Sequence, residues 1–321
     1  MNPQPHTCLS VSAVKSSMLV RPRVPVLLVV VAGCGAAGLF ARKEFDGQQA
    51  LGYVRAQMAF GPRVPNTEGH RKAGDWIRQQ LETRADSVEV QEFTHVTAQG
   101  DTLHLRNFVG RFRPELNDRV LFLAHWDTRP RAEKSPNLAD QQRPVPGAND
   151  GASGVAVLLG VADALKKLPP AGVGVDLLFV DGEDYGDFND GRDVLLGSKH
   201  YAATLPAGTR PLYAVLFDMV GDGDLRIDKE GWSAERAPEV VERVWAKARE
   251  LGYTRYFTAT IGGGITDDHL PLLDAGVRAI DVIDLDYGPG NSYHHTTDDT
   301  VDKVTARSLQ IVGDVAVALL R

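Results

Sequence analysis

Val175-Asp176-Leu177-Leu178-Phe179-Val180-Asp181-Gly182-Glu183-Asp184 is a short apolar run that ends abruptly in acids. A strand this apolar has no face to give to water, the mark of a sheet covered by helices on both sides. Three further runs have the same character. Val120-Leu121-Phe122-Leu123-Ala124 leads into His125-Trp126-Asp127, and Ala214-Val215-Leu216-Phe217 stops at Asp218. Ala279-Ile280-Asp281-Val282-Ile283 leads through a Gly-rich loop to His294-His295. Between the first two runs, Ala152–Leu168 carries Val155, Leu158, Leu159, Ala162 and Leu165 at helical spacing. Ala237–Leu251 and Val301–Leu320 are further helix candidates. Strands alternating with helices predict an α/β fold: a three-layer α/β/α sandwich around a mixed, largely parallel sheet.

Towards the N-terminus the pattern changes. Residues 47–83 read as mostly helical, and residues 87–112 alternate like two strands turning at Gln99-Gly100-Asp101. No internal repeat, low-complexity tract or compositional break marks a second domain, so residues 47–321 read as one domain.

The 321 residues are 43% hydrophobic and 24% charged, which excludes a collagen, a disordered tail and a disulfide-built miniprotein. A net charge of −7 argues against a nucleic-acid partner. With only Cys8 and Cys34, any metal must be held by His and carboxylates.

Residues 1–33 read as a signal peptide whose true start is Met18, with Arg21 and Arg23 before the apolar stretch at 24–33. Val31-Ala32-Gly33-Cys34 resembles a bacterial lipobox, which would make Cys34 a lipidated first residue and 34–46 a linker. The alternative is an uncleaved anchor, since Val24 to Phe40 carries no charge for 17 residues, the lower edge of a bilayer span. Either reading exports the domain to the bacterial cell envelope, facing the periplasm or the outside. Removing a leader with three basic residues and no acid leaves the mature charge at −10.

Ligands of open α/β sheets bind beyond the carboxyl ends of the strands. His125, Asp127, Glu183, Asp184 and Asp218 all fall at such ends, Asp150 precedes the helix after the first run, and His295 follows the last. Singly, Asp150 reads equally as a helix cap, Asp218 as a turn residue and His125 as a core histidine. Together, imidazole and carboxylates converging from separate loops suit zinc with one coordination position left open. Asp127 is placed to orient the His125 ring from behind.

At these residues the chain resembles zinc metallopeptidase family 28, which holds aminopeptidases and glutaminyl-peptide cyclotransferases. The segments are His125-Trp126-Asp127, Gly147-Ala148-Asn149-Asp150-Gly151-Ala152-Ser153-Gly154, Asp181-Gly182-Glu183-Asp184 and Leu196-Gly197-Ser198. Asp218, Asp267-Asp268-His269-Leu270-Pro271 and His295-Thr296-Thr297-Asp298-Asp299 complete them in the same order. The resemblance implies that Asp150, Asp184 and His295 bind one zinc. It also implies that His125 and Asp218 bind a second one in an aminopeptidase, and that Glu183 is the general acid/base.

Within the family, Asp267 before Asp268-His269 points to a cyclotransferase, in which that acid contacts the reacting groups. The expected function is therefore conversion of an N-terminal Gln of peptides or proteins to pyroglutamate, with catalytic roles for Glu183, Asp267 and Asp218 and one zinc. The alternatives are a two-zinc aminopeptidase and a non-catalytic peptide-binding lipoprotein. The chain departs from the family's commoner Glu at Asp184, and from the cyclotransferase pattern at His294, where Trp is usual. Another Trp is expected just beyond the acid pair; Phe188 and Trp126 are the aromatic candidates to replace it. The sequence leaves the oligomeric state open.

Overall fold

Phe45 anchors the first of the described residues to the core. A computed structural model describes residues 44–205 and 209–321, and in it Phe45 is 2% exposed. Its ring fills the space left by Gly160 and Gly313, where an added Cβ would lie 2.3 and 2.4 Å from it. Asp46 then caps helix α1 (Gly47–Met58), its Oδ1 accepting from the Gln48 and Gln49 amides at 2.9 and 3.1 Å. Residues 44–46, expected as the end of a linker, thus belong to the fold. Cys34 and the leader lie outside the described residues.

Helix α2 (Glu68–Glu82) is followed by the expected hairpin, β1 (Ser87–Val96) and β2 (Thr102–Phe112), paired antiparallel. Then come β3 (Arg119–His125), α3 (Ala152–Lys167), β4 (Gly174–Val180), α4 (Leu196–Thr204) and β5 (Tyr213–Asp218). The chain continues through β6 (Ile227–Lys229), α5 (Gly231–Arg236), α6 (Pro238–Glu250), β7 (Phe257–Ile261), α7 (His269–Asp274), β8 (Ala279–Ile283) and α8 (Ala306–Ala318). The main sheet runs β1-β2-β4-β3-β5-β8, parallel from β4 to β8 and closed on one side by the antiparallel hairpin.

Every residue of β4, β5 and β8 is buried, so both sheet faces are covered. Helices α1, α3 and α8 pack on one another, and α4 packs on α7. The fold is the α/β arrangement expected from the four apolar runs. His125 pairs with Val180 and Asp218 with Ile283, which brings the carboxyl ends of four strands to one edge. The short elements β6, α5, β7 and α7 carry too few residues for periodicity to reveal them.

Two loops are pinned beneath that edge. Gly151 takes φ +92°, and a Cβ there would sit 2.7 Å from the Asp127 carbonyl oxygen. The fully buried Arg63 donates to the carbonyls of Trp126, Pro146 and Gly147 at 3.0, 3.0 and 2.5 Å. It thereby ties the chain after β3 to the chain before α3.

Candidate metal centre and active site

Two side-chain clusters meet at Asp150. In one, His125 Nε2 lies 3.2 Å from Asp150 Oδ1 and 3.1 Å from Asp218 Oδ1. In the other, His295 Nε2 lies 3.7 Å from Asp150 Oδ2 and 3.5 Å from Asp184 Oδ1. His294 also offers a nitrogen to the Asp150–His295 group. Burial and the charge of His295 push His294 down to about 3, so its imidazole is neutral and able to donate a lone pair. Asp150 is not a helix cap: Gly151 holds the N-cap position of α3.

The unpaired atoms test whether a cation fits. Asp150 Oδ2, Asp184 Oδ2 and His125 Nδ1 are buried and have no hydrogen-bond partner among the described residues. Buried polar atoms are otherwise almost always paired. Oxygen and imidazole nitrogen are donors that zinc accepts. Burial opposes ionisation of Asp150, yet the hydrogen bond and charge of His125, with the charge of His295, hold its carboxyl below the usual range. The donor set therefore suits a divalent ion.

Around these groups stands a shell that is partly unexpected. Asp127 lies 3.8 Å from His125 Nδ1, too far to orient the ring as expected. Instead it accepts from the backbone amides of Glu183 and Asp184 at 3.0 and 3.2 Å, fixing the loop that carries both acids. Arg129 Nη1 donates to Asp184 Oδ1 at 2.7 Å, and Arg129 Nε to both oxygens of Glu133 at 2.8 Å. Glu133 Oε1 in turn lies 3.1 Å from His295 Nδ1. The only sequence signal for Arg129 and Glu133 is an opposite-charge pair four apart just after β3. Asp299 accepts from the amides of Asn149 and Asp150 at 2.8 and 3.2 Å, and from the Tyr287 hydroxyl at 2.7 Å.

A cavity of about 330 Å³ opens onto the clusters, walled by Glu183, Asp218, Asp267, His295, Phe188 and Ile265 among others. Burial, reinforced by Asp184 and Asp267, raises Glu183 well above the usual carboxyl range despite His125. Burial and the charges of Asp218 and Asp268 do the same to Asp267. Asp268 holds the N-cap position of α7 but makes no side-chain cap bond; it accepts from Ser198 Oγ at 2.5 Å, and its own amide donates to Asp267 Oδ1 at 2.6 Å. Phe188 is half-buried on the cavity wall, its ring centroid 6.4 Å from that of His295. Trp126, the other aromatic candidate, is core: it is fully buried and stacked on His70 at 4.3 Å.

The model for peptidase family M28 matches residues 107–320, the span that supplies every one of these groups. The chain belongs to that family. Among solved structures, it is 35% identical to the glutaminyl cyclase of Porphyromonas gingivalis, covering 87% of this chain and 98% of that one, with a TM-score of 0.83. It is equally 35% identical to a Zn-dependent exopeptidase of Parabacteroides distasonis, over 86% of this chain and 98% of that one, at a TM-score of 0.82. Aminopeptidase YwaD of Bacillus subtilis is 25% identical over 86% of this chain, which spans only 57% of that protein's length. M28 relatives therefore include both cyclases and peptidases. Separating the two chemistries falls to the cavity itself.

Proposed function

We propose that this chain is an exported, zinc-dependent glutaminyl-peptide cyclotransferase. The observation that carries the reading is Asp267, a fully buried acid on the cavity wall beside Glu183. Relatives bearing the cyclase name, at 35% identity over nearly their whole length, support it.

Asp150, Asp184 and His295 would hold the zinc, with neutral His294 beside them as a further donor. A zinc held there would supply Lewis-acid polarisation of the side-chain carboxamide of the substrate Gln. The α-amine of that Gln attacks its own γ-carbonyl carbon, so a new C–N bond closes the five-membered ring and the carboxamide C–N bond breaks. Glu183 takes a proton from the attacking amine and returns it to the departing ammonia. A carboxyl raised by burial and by neighbouring acids suits both halves of that task better than an ordinary one. Asp267, raised by burial and by Asp218 and Asp268, faces the reacting groups as a hydrogen-bonding partner. Because the attack is intramolecular, holding the amine against the carboxamide supplies much of the rate.

The aminopeptidase reading rests on a separate observation. His125, Asp150 and Asp218 form a second group able to hold an ion, as a two-metal hydrolase requires. Mass spectrometry of a Gln-initiated peptide separates the readings: loss of ammonia supports the cyclotransferase, and loss of a whole residue supports the peptidase. A non-catalytic peptide-binding role is disfavoured by the intact ligand set and Glu183. Export and a lipid anchor at Cys34 rest on the sequence motif alone; labelling with a radioactive fatty acid, abolished by Cys34→Ala, tests the anchor.

A further inference from the structure

We propose that a second cavity, about 480 Å³ and adjoining the proposed active site, binds the second and third residues of the peptide substrate through Arg131, Asp101 and Tyr185. This rests on the cyclotransferase reading, in which the smaller cavity receives only the N-terminal residue and the remaining chain must leave across one of its walls.

The two cavities share Arg129, Glu133, Asp187 and Asn189, so a chain leaving the first enters the second directly. Another neighbouring cavity meets the site at Ile283 and Leu285, and its basic lining residues are already paired, Arg226 with Asp228 and Lys229 with Glu242. Each residue of an extended peptide brings an amide N–H and a carbonyl that both need partners. Among the described residues, neither the Arg131 guanidinium nor the Asp101 carboxylate makes a hydrogen bond or an ion pair. A donor for carbonyls and an acceptor for amides thus face the same space. Arg129, Arg131 and Arg192 face Asp101, Glu133, Asp187 and Asp193 around this cavity, a near balance of charge that gives little preference for charged side chains at these positions. It suits main-chain recognition of peptides varied in sequence.

The cavity is also a built one. Tyr185 packs against the Leu103, Leu105 and Leu196 cluster, and burial with the charges of Asp101 and Asp193 keeps its phenol neutral. Asp193 ties the loop after Glu183-Asp184 to the β1–β2 turn, accepting from the Ala98 amide at 3.0 Å and lying 2.6 Å from His95 Nε2. The same loop is closed on itself by the Asp187 amide, which donates to the Arg192 carbonyl at 2.9 Å.

Steady-state kinetics on glutaminamide and on a Gln-initiated tetrapeptide test the assignment, using wild type, Arg131→Ala, Asp101→Ala and Tyr185→Phe. Each lost hydrogen bond is expected to raise KM for the tetrapeptide roughly two- to ten-fold. Both constants for glutaminamide should stay at wild-type values in all three variants. Equal changes on both substrates, or none on the tetrapeptide, overturn the subsite while leaving the cyclotransferase reading intact. A zinc-loaded wild type that converts neither substrate refutes the reading, and the subsite with it.

Discussion

Arg129 occupies one oxygen of Asp184 at 2.7 Å and leaves the other, Oδ2, buried and unpaired. A single carboxylate is thereby divided between a protein partner and a prospective cation. In the proposed centre, this support would let the shorter Asp184 stand where the family resemblance leads one to expect Glu. Arg129 and the Asp127-bound backbone of Glu183-Asp184 hold that acid in place, 3.5 Å from His295.

Arg129→Gln should therefore weaken zinc binding by about 10- to 100-fold, the usual effect of removing a group that orients a metal ligand. Chelator competition on the folded variant measures it. Wild-type affinity would show that Asp184 needs no such support.

Glu183→Gln should lower kcat by about 10²- to 10⁴-fold, the range for a general acid/base, while zinc content stays at the wild-type level. Loss of zinc together with activity would instead assign Glu183 a structural role.

The pH dependence of stability has a separate source. Glu230 accepts from the amides of Trp232 and Ile265 at 2.8 and 3.0 Å, and from the Ser233 amide at 2.6 Å. Burial opposes its charge, but His269 and Ser233 prevail and hold the carboxyl down at about 2, against an ordinary 4.5. A folded pKa below the unfolded one stabilises the protein above pH 4.5, and that contribution fades as pH falls towards 2. Glu230→Gln should be less stable by roughly 2 kcal/mol at pH 7, the upper range for a lost helix cap. Denaturant titrations across this range should show the gap closing in acid; a gap independent of pH would contradict the assignment.

Gly151→Ala places a side chain at φ +92° and against the Asp127 carbonyl, at 2.7 Å. Strain of this kind costs on the order of 1–3 kcal/mol, and the variant should melt at a lower temperature and lose zinc affinity through the neighbouring Asp150. Thermal unfolding with and without zinc checks both effects.

Much of this architecture was legible in the sequence because burial on two faces writes an unbroken apolar run, as in β3, β4, β5 and β8. The convergence of candidate ligands was legible because those runs stop at acids and imidazoles. Nothing in the periodicity could show which groups stand behind the ligands. A spacing of two points Asp127 at His125, whereas the fold turns it towards the amides of Glu183 and Asp184. Arg129 and Glu133 lie in an irregular loop, and their partners Asp184 and His295 are 55 and 162 positions away. Trp126 read as well for a cavity wall as for core, and only its stacking on His70 decides.

The central claim is that Glu183 and Asp267 serve ring closure rather than hydrolysis. Mass spectrometry of a Gln-initiated peptide after incubation with the zinc-loaded enzyme tests it most directly. Loss of one ammonia, with the chain length preserved, is the predicted result. Release of free glutamine and a peptide one residue shorter would contradict it.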